Sequence, residues 1–208
     1  MTPGWILTAS GVAFYPLEPR VADVRLDDIA HALAAVNRFN GHTREPYSVA
    51  QHSVLVSLEM ERSAGGSAWR DGLYGLLHDA AEAYLCDVPR PLKQLEAFAP
   101  YRAAERRLQR VIYAAFDLEP DEPARLKLID RRMLRTEQRY LVAAALPGEI
   151  RDDVAPFPIG IVPWPFQFSR QAFLRRYADL RAVPDRAADS GPCARHVDCD
   201  GPCWMDAP

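Results

Sequence analysis

Between Gly75 and Lys93 the chain reads GLLHDAAEAYLCDVPRPLK, its densest run of side chains able to do chemistry. An imidazole and a carboxylate adjoin at His78 and Asp79. A second carboxylate follows at Glu82, and then Asp87, Arg90 and Lys93 add an acid and two bases. Neighbours on a helix point about 100° apart, so His78 and Asp79 can share an ion only if it sits in front of the wedge between them. Two ligands leave such an ion underfilled, and other segments must complete it. His52 in AQHSVL and Asp130 in KLIDRRML both fall mid-helix by pattern. A carboxylate directly after two apolar residues is rarely left unpaired in a core. Two imidazoles and two carboxylates form a mixed nitrogen and oxygen set. It suits manganese, iron, cobalt, nickel or zinc and leaves positions open for water or substrate.

The elements that must position these residues are mostly helical. WILTASGVAFYPL, 5–17, predicts a short hairpin around Ser10-Gly11. Residues 27–37 predict a helix with Ile29, Leu33 and Val36 inward, capped by Asp27 or Asp28. After the loop 38–47, Ser48 and Gln51 form a capping box for a second helix that stops at Gly65-Gly66. Ser67 opens a third, expected to run unbroken to about Leu85 through His78, Asp79 and Glu82. Pro89 and Pro91 exclude continuous helix from CDVPRPLK. A helix from Pro100 to Asp117 buries Leu108, Ile112 and Phe116. One capped by Asp121 turns Leu126, Ile129, Met133, Leu134 and Leu141 inward, and one capped by Ser169 ends near Arg181. The pattern gives an all-α core with a small N-terminal β-hairpin. It divides into a hairpin at 1–20, a helical domain at 21–183 and a flexible, Gly/Pro-rich tail at 184–208.

Charge narrows the function classes. The 208 residues carry a formal charge of −3, and that whole excess lies in 183–208, leaving the rest neutral. No broad basic surface for a nucleic-acid polymer exists, whereas a small phosphorylated ligand met by a few local bases remains open. The longest apolar runs are too short to cross a bilayer. The start MTPGWILTASG lacks the features of a signal peptide, so the expectation is a cytoplasmic protein with no membrane partner. In the tail, Cys193, His196, Cys199 and Cys203 read C-x2-H-x2-C-x3-C, a compressed set that could hold a structural zinc. Cys86 reads as a small buried residue.

His52, the His78-Asp79 pair and Asp130, in that order on successive helices, resemble the HD-domain phosphohydrolases. The likeness is closest to the 5′-deoxynucleotidases and the phage-type deoxynucleoside triphosphate triphosphohydrolases. Arg38-Phe39 ahead of YSVAQHS is similar to that branch's Arg-Trp before the first histidine. HDAAEAYLCDVPRPLK and DRRMLRTE are similar to its other runs, and the resemblance covers about 26–182. It implies an HD-domain helical bundle in which His52, His78, Asp79 and Asp130 hold a divalent transition metal. Glu82, one turn beyond the ligand pair, then handles a proton, with Asp87 as a second functional acid. Arg38, His42, Arg90 and Lys93 meet phosphate or sugar oxygens, while Phe39 and Pro91 shape the pocket. The implied reaction is hydrolysis at the 5′-phosphorus of a 2′-deoxynucleotide. The NGH-T-R loop, with Arg44, inclines it to a dATP-like triphosphate, the alternative being a monophosphate. A homodimer or higher homo-oligomer is implied, with the apolar run 154–168 (Phe157, Ile159, Ile161, Trp164, Phe166) suited to a subunit contact or a lid.

Overall fold

The computed structural model describes residues 4–64, 68–142 and 154–182. The tail, its Cys/His set, Ser67, the glycine pair 65–66 and Pro147-Gly148 lie outside the described residues. The chain is mostly helical, with one two-stranded antiparallel sheet near the N-terminus. Strands β1 (Ile6–Leu7) and β2 (Ala13–Phe14) pair Ile6 with Phe14 and Leu7 with Ala13. Gly11 takes the positive φ of 82° that the turn needs. The hairpin is sewn to the helices: Phe14 is fully buried in the main core and stacks on Tyr84 at 3.9 Å.

Helix α1 (Leu26–Ala35) buries Ile29 and Leu33 as the pattern required, but Val36 lies just past its end and is half-buried. Neither Asp27 nor Asp28 caps it; Arg25 occupies that place without a side-chain bond. Asp28 is instead buried, accepting from the backbone N–H and hydroxyl of Ser10, both at 2.7 Å. A carboxylate that secures a separate hairpin gains more than it would as a cap at an exposed end.

Helix α2 (Val49–Ser63) is the central rod. Val49, Ala50 and Val54 face one apolar cluster, and Val56 and Met60 a second. A largely buried helix must satisfy most of its polar side chains internally. Ser48 accepts from the Gln51 N–H as expected. The Gln51 side chain does not return to Ser48, however. It donates to Val162 C=O and accepts from Trp164 N–H, both at 2.8 Å, pinning the Pro-rich loop.

Helix α3 (Ala68–Leu77) crosses α2 closely. A Cβ on Gly75 would lie 2.7 Å from the Ser57 Cα, so only glycine permits the approach. The expected continuous helix to Leu85 is not found: α3 stops at Leu77, residues 78–81 form turns, and α4 (Glu82–Leu85) is a single turn. A further turn, α5 (Arg90–Lys93), follows the irregular 86–89. Cys86 is exposed rather than buried, at a φ of 67° that ends α4.

Helix α6 (Ala99–Ala115) carries Pro100 in its first turn and buries Leu108 and Ile112. Helix α7 (Leu126–Leu141) starts five residues after the expected cap Asp121, with Leu134 only half-buried. Helix α8 (Phe166–Ala182) begins before Ser169, which lies buried inside its first turn. Phe157 and Ile161 belong to the second core cluster, which removes them from any subunit contact.

Candidate metal centre

His52 sits fully buried on α2, and its ring is fixed by a residue from α7. The Nδ1 lies 2.5 Å from Glu137 Oε1. Glu137 is held ionised and an ionised carboxylate only accepts, so this nitrogen carries the proton and Nε2 is left with its lone pair. His78 is fixed differently. Its Nδ1 donates to the Gly75 carbonyl at 2.8 Å, again leaving Nε2 free. The two Nε2 atoms face each other at 3.3 Å. Opposed lone pairs at that distance repel unless a cation or a proton lies between them.

Carboxylates complete the focus. Asp79 Oδ2 lies 3.3 Å from His78 Nε2 and 3.6 Å from His52 Nε2. Asp130 Oδ1 lies 3.2 Å from His52 Nε2 and 3.9 Å from His78 Nε2. His52, His78 and Asp79 form a group that could hold a metal ion, each offering a ligand atom within 4.8 Å of the others. The donor set is nitrogen and hard oxygen, which fits a divalent metal.

The electrostatics of the metal-free chain follow from this crowding. Burial works against charge on His78, but Asp79 and Asp130 outweigh it and lift its pKa to about 10. Burial and Arg38 oppose charge on His52, yet Glu137 and Asp130 raise it as well. Burial would raise Asp79, and His78, His52 and Arg38 hold it below the usual carboxylate range. Asp130 is lowered against burial chiefly by His52.

Glu137 is the site residue that sequence reasoning missed. It is fully buried and accepts from His52, from the Tyr47 hydroxyl at 2.9 Å and from Arg38 Nε at 3.2 Å. Against its burial, Arg38 and His52 hold it ionised. Its signal was available: it lies seven residues, two turns, after Asp130 on the same helix. Arg38 spends its fork on Glu137 and, at 3.3 Å, on Asp79. It is therefore a brace for the ligands rather than a free phosphate fork. The backbone after it turns sharply, with Phe39, Asn40 and Gly41 all at positive φ, a strained arrangement for a bulky residue.

A cleft of about 280 Å³ opens beside the cluster, lined by His78, Asp79 and Asp130 together with Glu82, Lys93 and residues of α6 and α7. Glu82 is buried, and its Oε2 has no hydrogen-bond partner among the described residues. Burial, then Asp79 and Asp87, push its pKa well above the usual range, with Lys93 only partly offsetting them. Lys93 Nζ lies 3.5 Å from Glu82 Oε1 and 2.7 Å from Glu105 Oε1. The structure thus brings His52, His78, Asp79, Asp130, Glu82, Lys93 and Arg38 together. Phe39, His42, Asp87, Arg90 and Pro91 are not among the residues lining this cleft. His42, Arg90 and Pro91 are exposed, and Phe39 lies beside Arg38 at 5.9 Å.

Comparison with known proteins adds kinship. The chain is 38% identical over 137 residues to "Uncharacterized protein YfdR" of Escherichia coli (strain K12), covering 66% of this chain and 72% of that one. It belongs to the YfdR family. A second relative, "Uncharacterized protein RCAP_rcc00048" of Rhodobacter capsulatus, is 37% identical over 129 residues, 61% of this chain and 65% of its own length. No family model matches the chain. Among the described residues of this YfdR-family chain, no helix is long and apolar enough to cross a membrane.

Proposed function

We propose that this chain is an HD-domain, metal-dependent phosphohydrolase that removes the 5′-phosphate of a 2′-deoxynucleotide. The observation that carries the reading is the pair of imidazoles whose Nδ1 atoms are both committed to acceptors. Their Nε2 atoms consequently converge with two carboxylates at the edge of a cleft. His52, His78, Asp79 and Asp130 would hold the ion, of manganese, cobalt, iron, nickel or zinc. When bound, it supplies charge to offset phosphate oxygens and lowers the pKa of a water. Glu82 offers the unpartnered Oε2 at the cleft. It takes the proton that the attacking water loses and returns it to the departing 5′-oxygen, so that ester and water become deoxynucleoside and phosphate. Lys93 brings positive charge beside Glu82.

Between the two phosphoryl centres, the cleft favours the monophosphate over the triphosphate toward which the NGH-T-R loop inclines. Beyond the metal ligands and Glu82, it offers Lys93, Arg106 and Lys127 against Glu105 and Glu122, few bases for a long polyanion. Lys93 is moreover shared between two carboxylates. Preference for the deoxy sugar rests on the resemblance through Phe39, and a homo-oligomer rests on the resemblance as a whole.

Phosphate release from dAMP, AMP and dATP, with manganese or cobalt, tests the reading. The expected result is phosphate from dAMP, with Glu82→Gln still binding Mn²⁺ while turnover falls about 10²–10⁴-fold. Triphosphate released from dATP in one step would reinstate the longer substrate. Metal binding without hydrolysis of any deoxynucleotide would make the chain a binding protein instead.

A further inference from the structure

Opening the helix at the His78-Asp79 pair requires a cause, because nothing in LLHDAAEA forbids helix. In a continuous helix the Ala81 N–H would bond to the Leu77 carbonyl four residues back. Here that pair is separated, and both groups are taken by one side chain from α6. Gln109 Nε2 donates to Leu77 C=O at 2.7 Å, and the Ala81 N–H donates to Gln109 Oε1 at 3.1 Å. Since Leu77 C=O only accepts and Ala81 N–H only donates, the orientation of the carboxamide is fixed by its partners. The turn between them closes with shorter, three-residue bonds: Ala80 N–H to Leu77 C=O at 3.0 Å, and Glu82 N–H to Asp79 C=O at 3.0 Å. An inserted side chain is a recognised cause of a helix break.

We propose that Gln109 is a positioning residue whose carboxamide inserts into the helix between Leu77 and Ala81 and thereby sets where His78 and Asp79 present their ligand atoms. The inference rests on the metal-centre reading above but not on any hydrolytic activity. The same helix holds the rest of the segment. Tyr101 donates to the Cys86 carbonyl at 2.9 Å, Arg102 to the carbonyls of Lys93 and Leu95, and Lys93 donates to Glu105. Gln109 differs from these in acting at the residues that flank the ligands themselves. Without its amide, the lowest-cost arrangement is the ordinary bond from Ala81 to Leu77. That bond rewinds residues 78–81 and turns His78 and Asp79 about 100° apart along a helix.

The test is a Gln109→Met variant, similar in length but unable to make either bond. Mn²⁺ affinity is measured by electron paramagnetic resonance well below the melting temperature of both proteins, and amide exchange at Ala81 by nuclear magnetic resonance. The expected result is a folded variant that binds Mn²⁺ about 10–100-fold more weakly, the loss typical of an outer partner of a metal ligand. Unchanged Mn²⁺ affinity in the folded variant overturns the proposal. Should the variant not fold, the wild-type chain decides. Slow exchange at Ala81 and at the Gln109 carboxamide supports the insertion, and exchange at the rate of free amides overturns it. A wild-type chain that binds no Mn²⁺ would instead defeat the metal reading, and Ala81 exchange would still judge the insertion.

Discussion

The two histidines reach the same point from opposite kinds of support. His52 rides an unbroken, largely buried helix, and its ring is fixed by Glu137, eighty-five residues away. His78 stands where its helix has just ended, and its ring is fixed by the carbonyl of Gly75 in the turn before it. One imidazole is aimed by tertiary contact on a rigid rod, the other by its own backbone at a break that must itself be held open. The contrast indicates that a side chain on α7 can disable the first, whereas the second is reached only by moving the chain.

Removing ligands breaks both halves at once. Asp79→Ala is expected to abolish measurable Mn²⁺ binding, because Asp79 faces both Nε2 atoms and anchors Arg38; calorimetric titration checks this. Glu137→Ala strikes only the His52 half. It takes the shared buried acceptor from Arg38 Nε, the Tyr47 hydroxyl and His52 Nδ1, and thermal or urea unfolding should register a loss of about 3–5 kcal/mol. Gly75→Ala strikes the His78 half through the backbone. Its Cβ would meet Ser57 backbone atoms at 2.7 and 2.9 Å, so urea unfolding should show a loss of about 1–3 kcal/mol, together with weaker Mn²⁺ binding.

The smallest effect near neutral pH is also the most diagnostic. In the metal-free chain His78 is raised from 6.5 to about 10, so the stability its charge contributes is fully present below pH 6.5 and is lost as pH climbs toward about 10. Asp79, Asp130 and Glu137 are lowered. Their contribution is present above the ordinary carboxylate range and is lost as pH falls through their lowered values. Metal ligation requires unprotonated imidazoles. Melting temperatures with and without saturating Mn²⁺ should therefore diverge progressively from pH 6.5 to about 10. Parallel curves would remove the metal from the histidine pair.

Much of the frame was legible because it depends on local periodicity. Ile29 and Leu33, Leu108 and Ile112, Ile129 and Met133 repeat at helical spacing and are buried where that spacing puts them. The caps read less well. Asp28 and Gln51 have the right chemistry for helix ends, but distant partners in Ser10 and Trp164 claim their side chains. Phe157 and Ile161 looked like a free apolar surface because sequence does not reveal that α7 covers them.

By itself, the sequence determined which side chains could meet a cation: imidazole and carboxylate in a fixed order, on segments whose apolar faces must pack. Tertiary structure alone decided how those side chains point. Arg38 became a brace because Glu137 and Asp79 lie within reach of its guanidinium. The helix opened at His78 because a glutamine from another rod satisfies the two backbone groups that the helix would have paired. Periodicity is a property of neighbours along the chain. Competition for a buried hydrogen bond is settled only between groups that folding has brought together.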